Sequence, residues 1–354
     1  MKDTAVAFTP KCYKHNPGPD HPESADRLRA IVNALKSEES RKITNWEFVE
    51  PRKARLEDVA LVHDMQYIRL VKSTCNNGGG MLDSGDTVAS SETFDAALHA
   101  AGGGLTAVDL VMTGKCRNSF ALVRPPGHHA GRFSARGFCI FNNATIAAKH
   151  LLKEFSLKRV LIIDVDAHHG NGTQEIFYDT DKVLYISLHE DPRIFPGTGF
   201  TSEVGEHEGL GYTVNVPFPY GTSDRIYVKA LDEVVTPIVS QYEPQFILVS
   251  AGFDAHHRDP VGNLSLSAKC FQNIYDTIVK MALRSCNGRL TALLEGGYNL
   301  TVVGKLAASA IAKMTPSPYH VRDANLPCRR PIEAEGEKVI QEVKKAQKSF
   351  WKIG

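Results

Sequence analysis

The sequence predicts an α/β fold: a single domain over residues 1–354, built on a mostly parallel β-sheet with helices on both faces and its ligand-binding rim at the carboxyl ends of the strands. Three observations lead there. Short aliphatic runs, many of them β-branched, alternate with stretches of helical periodicity, the pattern of βαβ units. No internal repeat, low-complexity segment or Pro-, Gly- or Ser-rich linker divides the chain, and its length is ample for one large core. The apolar runs also end in clusters of Asp, His and Gly, groups that are costly to bury unless something at the rim of the sheet employs them.

The elements follow in chain order. Leu28, Ile31, Val32 and Leu35 recur at i, i+3, i+4 and i+7 and predict an amphipathic helix. Strands are predicted at 120–123, 160–163, 183–188, 246–249 and 290–294, with a looser helical pattern over 144–152. The run at 160–163 is too short and too branched to prefer a helix, and its continuous apolarity fits a strand buried on both faces. The stretch 191–222 has many Gly and Pro and little periodicity, so it is expected to be a long functional loop.

Composition narrows the function classes. Forty-one basic residues face forty acidic ones, which argues against a general electrostatic affinity for nucleic acid or an anionic membrane surface. No apolar run approaches membrane-spanning length, and "MKDTAVAFTP" lacks the apolar core of a signal peptide. Seven scattered cysteines without a Cys-x-x-Cys pair fit thiols in a reducing compartment, so a cytoplasmic location is expected.

The chemistry concentrates at strand ends. In "IIDVDAHHGNGT", residues 162–173, side-chain alternation sends Asp164, Asp166 and His168 to one side and His169 to the other. "LVSAGFDAHH" brings Asp254 past a second buried run. Asp166, His168 and Asp254 make three protein ligands with one position left for water, the pattern of a catalytic zinc site. Alone, each strand-end aspartate reads as a cap or turn residue. "RPPGHHA", residues 124–130, carries His128 and His129 to the same rim, where imidazoles that titrate near working pH would serve as base and acid. "LLEGGYNL" places Tyr298 after two glycines, where a phenol can donate a hydrogen bond to an oxyanion. "RGFCIFNN" and "RIFPGTG" supply Phe138 and Phe195, loop aromatics suited to the walls of a narrow channel and otherwise read as loop packing.

Taken together, "HPESADRL", "RPPGHHA", "GFCIFNN", "DVDAHHGNGT", "YISLHED", "FPGTG", "GFDAHHRDP" and "LEGGYNL" resemble, nearly end to end, the histone deacetylase and acetylpolyamine amidohydrolase family and its arginase-like deacetylase fold. "RPPGHHA" and "HHGNG" lie closer to class II than to class I. The resemblance implies zinc on Asp166, His168 and Asp254, tandem catalytic histidines at His128 and His129, and a carbonyl-polarising tyrosine at Tyr298. It implies substrate contacts from Phe138, Phe195 and Gly137 along the acyl-lysine chain, and from Ser90 on the substrate backbone. It implies potassium held by Asp164, Ser187 and the carbonyls of Asp166, His168 and Leu188, and a second monovalent site around Phe177, Thr180, Val183 and Tyr212. Asn171 stands where class I enzymes have an aspartate behind the second histidine, which should set the pKa of His129 apart from that of His128.

The expected activity is therefore zinc-dependent removal of acetyl groups from lysine in proteins or peptides. In polyamine-selective relatives a glutamate reads the substrate's distal ammonium at the position held here by Val261. Valine offers no such charge, although Glu203, Glu206 and Glu208 in the long loop are alternatives, so acetylpolyamine remains the rival substrate. A two-manganese arginase-like hydrolase needs more carboxylates than these strand ends supply. A non-catalytic acyl-lysine binder would be marked by loss of Tyr298 or of a tandem histidine, and both are kept. Oligomeric state has no signature in the sequence.

Overall fold

Ten strands are present in the computed structural model, which describes residues 2–324, 326–327 and 329–354. They are β1 (Thr4–Ala7), β2 (Trp46–Val49), β3 (Gly79–Met81), β4 (Val88–Ser90), β5 (Asn118–Ala121), β6 (Val160–Asp164), β7 (Val183–Glu190), β8 (Thr213–Phe218), β9 (Phe246–Ala251) and β10 (Leu290–Leu294). Eight form one sheet in the order β2-β1-β5-β10-β9-β6-β7-β8, and every neighbouring pair in it is parallel. The remaining two, β3 and β4, make a small antiparallel hairpin.

Alternation along the strands divides the interior into two layers. Leu161 and Ile163 of β6 join one core with Leu184, Ile186, Ile247 and Val249, beneath the helices Ala25–Lys36, Ala268–Cys286 and Val303–Met314. Val160 and Ile162 face the other, with Val183, Tyr185, Phe246 and Leu248, beneath Thr93–Met112 and Asn143–Glu154. Both faces are thus covered, as an all-parallel sheet requires. The helix Asn143–Glu154 begins where predicted because Asn142 caps it, its side chain accepting from the Thr145 N–H at 3.1 Å.

All five predicted strands match within two residues at either end, the run at 120–123 being displaced by two to Asn118–Ala121. The expected long loop over 191–222 is corrected: it contains β8, the edge strand Thr213–Phe218. Polar Thr213 and Asn215 and the strand-breaking Pro217 masked it, and Pro is tolerated there because a sheet edge leaves one side of the backbone unpaired.

The four central strands, β5, β10, β9 and β6, are followed by the four polar motifs. The chain reverses its direction of travel across the sheet in this region, and ligands bind in the crevice that such a switch opens.

Candidate active site

Asp166, His168 and Asp254 offer one ligand atom each within 4.8 Å of one another. His168 Nδ1 lies 3.3 Å from Asp166 Oδ1 and 3.1 Å from Asp254 Oδ2. Backbone N–H groups hold the outer carboxylate oxygens: Gly296 donates to Asp166 Oδ2 at 2.8 Å and Ala167 to Asp254 Oδ1 at 2.9 Å. Gly296 has to be glycine, since a Cβ there would sit 2.4 Å from Asp254 Oδ2 and 2.6 Å from Asp166 Oδ2. Both carboxylates are buried, and burial together with the neighbouring Asp166 pushes Asp254 up to about 7. Two adjacent buried carboxylates and an imidazole converging on one point make a group that could hold a metal ion, and an O, N, O donor set fits zinc.

The tandem histidines stand beside this cluster with ring centroids 3.9 Å apart. His128 Nδ1 lies 3.1 Å from Asp164 Oδ2, and His129 Nδ1 lies 2.8 Å from Asn171 Oδ1. The two partners separate the pair electrically. Burial opposes charge on His128, but Asp166 and Asp164 outweigh it and hold the imidazole up to about 10. Burial and the positive charge of His128 and His168 push His129 well below the ordinary histidine value, so it stays neutral.

The loop bearing these histidines is anchored by residues the sequence reading passed over. Glu295, fully buried, accepts from the N–H of Gly127 at 2.7 Å and of His128 at 3.2 Å. Arg27 donates to the carbonyls of Glu295 and Gly297 and lies 4.8 Å from the centre of the Tyr298 ring. Glu23 joins Arg27 to Arg124, at 3.0 and 2.6 Å, so one buried ion network ties the histidine loop to the tyrosine turn. A signal for Arg27 existed: it falls four positions before Ile31, on the apolar stripe of its helix.

Tyr298 is half-buried. Asp259 accepts from the Tyr298 and Asn299 N–H groups and from the Val261 N–H at 3.0 Å, so it fixes the tyrosine turn and the Val261 loop together. Burial pushes the Tyr298 phenol well above its ordinary value, with Arg27 opposing, and the hydroxyl remains a proton donor. Phe138 stands edge-on to Tyr298 at 5.8 Å and Phe195 to His129 at 4.9 Å. Gly137 has φ +56°, and a Cβ there would lie 2.4 Å from His129 Cδ2 and 3.0 Å from the Phe195 ring, so any side chain would press on both rings.

The other predicted positions spread more widely. Ser90, at the end of β4, accepts from the Asn16 N–H at 3.3 Å and sits 3.1 Å from Thr93 Oγ1, while Thr87 of the same hairpin accepts from the Phe138 N–H. Asp164 pairs in register with Ser187, and its Oδ2 also accepts from the Tyr185 hydroxyl at 3.0 Å. Ser187 Oγ lies 2.8 Å from His189 Nδ1, and the Leu188 carbonyl accepts from Tyr227. Phe177 closes the helix Asn171–Phe177 and its carbonyl accepts from Thr180, Val183 opens β7, and the Tyr212 carbonyl accepts from Tyr185. Glu203 is occupied in holding Gln174 and the N–H groups of Gly199 and Phe200, and the turn bearing Glu206 and Glu208 docks on Tyr178. The carboxylate joined to the Val261 loop from outside it is instead Glu190, through Asn263.

Comparison with known proteins agrees with this geometry. Residues 21–314 match the model of the histone deacetylase domain. A probable deacetylase of Archaeoglobus fulgidus is 40% identical over 99% of this chain and 99% of its own length. Polyamine deacetylase HDAC10 of Homo sapiens is 36% identical over 93% of this chain and 49% of its own length. The crystal structure of the HDA15 HD domain superposes with a TM-score of 0.88 at 35% identity, covering 99% of this chain and 95% of that one.

Proposed function

The chain belongs to the histone deacetylase family, whose members are hydrolytic deacetylases, and from that premise we propose that it removes acetyl groups from the ε-amine of lysine in proteins or peptides, with zinc held by Asp166, His168 and Asp254. What supports this is an O, N, O donor set gathered within 4.8 Å, a neutral imidazole at His129 whose ring lies 6.2 Å from that of His168, and a protonated phenol at Tyr298 on the same rim of the sheet. Zinc, when bound, lowers the pKa of a water towards ~7 and polarises the acetyl carbonyl. His129 would accept a proton from the attacking water and return it to the departing amine. His128, kept charged by its two aspartates, stabilises the developing negative charge, and Tyr298 donates its hydrogen bond to the same oxygen. Phe138, Phe195 and Gly137 line the passage for the aliphatic part of the lysine.

Potassium on Asp164, Ser187 and Leu188 is part of the same reading, supported by a buried carboxylate behind His128, and the segment around Phe177, Thr180, Val183 and Tyr212 is the second monovalent site. Unpaired, buried thiols at the six described cysteines support a reducing, cytoplasmic location. Among the described residues no helix is long and apolar enough to cross a membrane.

A protein lysine is favoured over a polyamine because Val261 brings no charge to the mouth. The polyamine reading has one observation in its favour, the likeness to a relative named for that activity. The test sets kcat/KM for an acetyl-lysine peptide against acetylspermidine and acetylputrescine on zinc-loaded enzyme. Preference for the peptide is expected. A tenfold preference for the polyamines, ~1.4 kcal/mol in transition-state binding, would reverse the assignment.

A further inference from the structure

We infer that Glu190 is the outer-sphere partner of the metal ligand His168 and tunes how tightly the metal is held. This rests on the zinc reading above. His168 presents Nδ1 to Asp166 and Asp254, which leaves Nε2 facing away from the ligand cluster. On that far side lies Glu190 Oε1, 3.8 Å from Nε2. A histidine that ligates through Nδ1 as a neutral ring must carry its proton on Nε2, and a carboxylate facing that N–H selects this tautomer, fixes the ring plane and makes Nδ1 a stronger donor. The gap is longer than a direct hydrogen bond, so one bridging water or a small closure completes the contact.

Glu190 is built into this place. Its side chain is buried, and Asn263 grips both oxygens, the backbone N–H at 2.5 Å and the side-chain amide at 2.9 Å. Its own N–H donates to the Ala167 carbonyl at 2.8 Å, between ligands Asp166 and His168. Asn263 follows Val261 by two residues on the loop that continues from ligand Asp254. One residue at the end of β7 therefore braces both ligand-bearing loops, its N–H on one and its carboxylate on the other, and its charge is aimed at the single histidine among the ligands. The sequence reading passed over Glu190 because it lies one strand away from the ligand motifs, within "YISLHED".

The test is zinc affinity by competition with a chromophoric chelator at fixed pH, on wild type, Glu190→Gln, Glu190→Ala and His168→Ala, with the melting temperature of each metal-free protein measured alongside. Glu190→Gln keeps the shape and removes the charge. Outer-sphere substitutions typically weaken metal binding by about 10- to 100-fold. The expected result is a rise of that order in the zinc Kd of both Glu190 variants, with metal-free melting temperatures close to wild type. Wild type that holds no zinc would refute the zinc reading itself. Wild type that binds zinc with Glu190→Gln and Glu190→Ala within about twofold of it would overturn the role of Glu190 alone, and so would weakened binding accompanied by collapse of the metal-free protein, which marks a structural role.

Discussion

Replacing Asn171 by Asp tests the division of labour between the two histidines. His129 Nδ1 lies 2.8 Å from Asn171 Oδ1, so Asn171→Asp puts a full negative charge where a neutral amide now sits. A charge about 4 Å from the ring centre, at an effective dielectric of about 20, favours the imidazolium by about 4 kcal/mol, or about three pKa units. The cost of burying a further charge takes back part of this, and the net rise is expected to be about one to three units. The acid limb of kcat/KM reports the free enzyme's general base. In the wild type that limb should lie well below the ordinary histidine value of 6.5, because burial and the positive charges of His128 and His168 hold His129 down. The assay is kcat/KM for an acetyl-lysine peptide from about pH 5 to 9 on wild type, Asn171→Asp and Asn171→Ala, with the limb moving up by about one to three units in the aspartate variant and staying in place in the alanine variant. An acid limb that does not move in Asn171→Asp refutes the assignment of His129 as the base.

Tyr298→Phe should fold normally and lose about two to three orders of magnitude in kcat with a far smaller change in KM, because the phenol's hydrogen bond strengthens in the transition state; near-normal kcat in steady-state assays would remove it from the mechanism. Val261→Glu should shift the ratio of acetylpolyamine to peptide kcat/KM upward by about tenfold or more, the equivalent of a charge-assisted contact of about 1.5–3 kcal/mol; an unchanged ratio would place substrate choice elsewhere. Asp164→Asn should abolish any response of rate and melting temperature to potassium over sodium, which titration with each salt would show. His128 is held up to about 10 against an unfolded value of 6.5, so its contribution to stability is fully present below pH 6.5 and is lost as pH rises towards 10. The metal-free protein should lose melting temperature over that range, and His128→Asn should flatten the slope.

Much of this architecture was legible because two periodicities differ so sharply. The continuous apolar runs of β6, β7, β9 and β10 read as buried strands, and the polar clusters at the ends of β6 and β9 mark the rim of the sheet. The edge was harder: β8 mixes Thr, Asn and Pro because one side of it carries no neighbour, and β1 and β2 are four residues each, too short for a pattern to establish itself. In the site, side chains that touch the reacting groups stood out as motifs. Those that act through others lie inside the same motifs, but nothing there announced their role. Glu295, Arg27, Asp259 and Glu190 work largely through backbone N–H groups, carbonyls and second nitrogens supplied by segments remote in sequence, and helical spacing marks Arg27 as buried without showing what it pairs with.

The position of β10 bears on how the chain matures. It is the last strand in sequence, yet it lies between β5 and β9 and bonds to both. Until residues 290–294 are in place, β2-β1-β5 and β9-β6-β7-β8 are two half-sheets with open inner edges, exposed to pairing with other chains. The tyrosine turn, the Gly296 N–H that steadies Asp166 and the Glu295 carboxylate under the histidine loop all follow directly on that strand. During synthesis, metal-binding geometry and activity should thus arrive together and late, when a nascent chain that already holds most of its helices closes its sheet around the final strand.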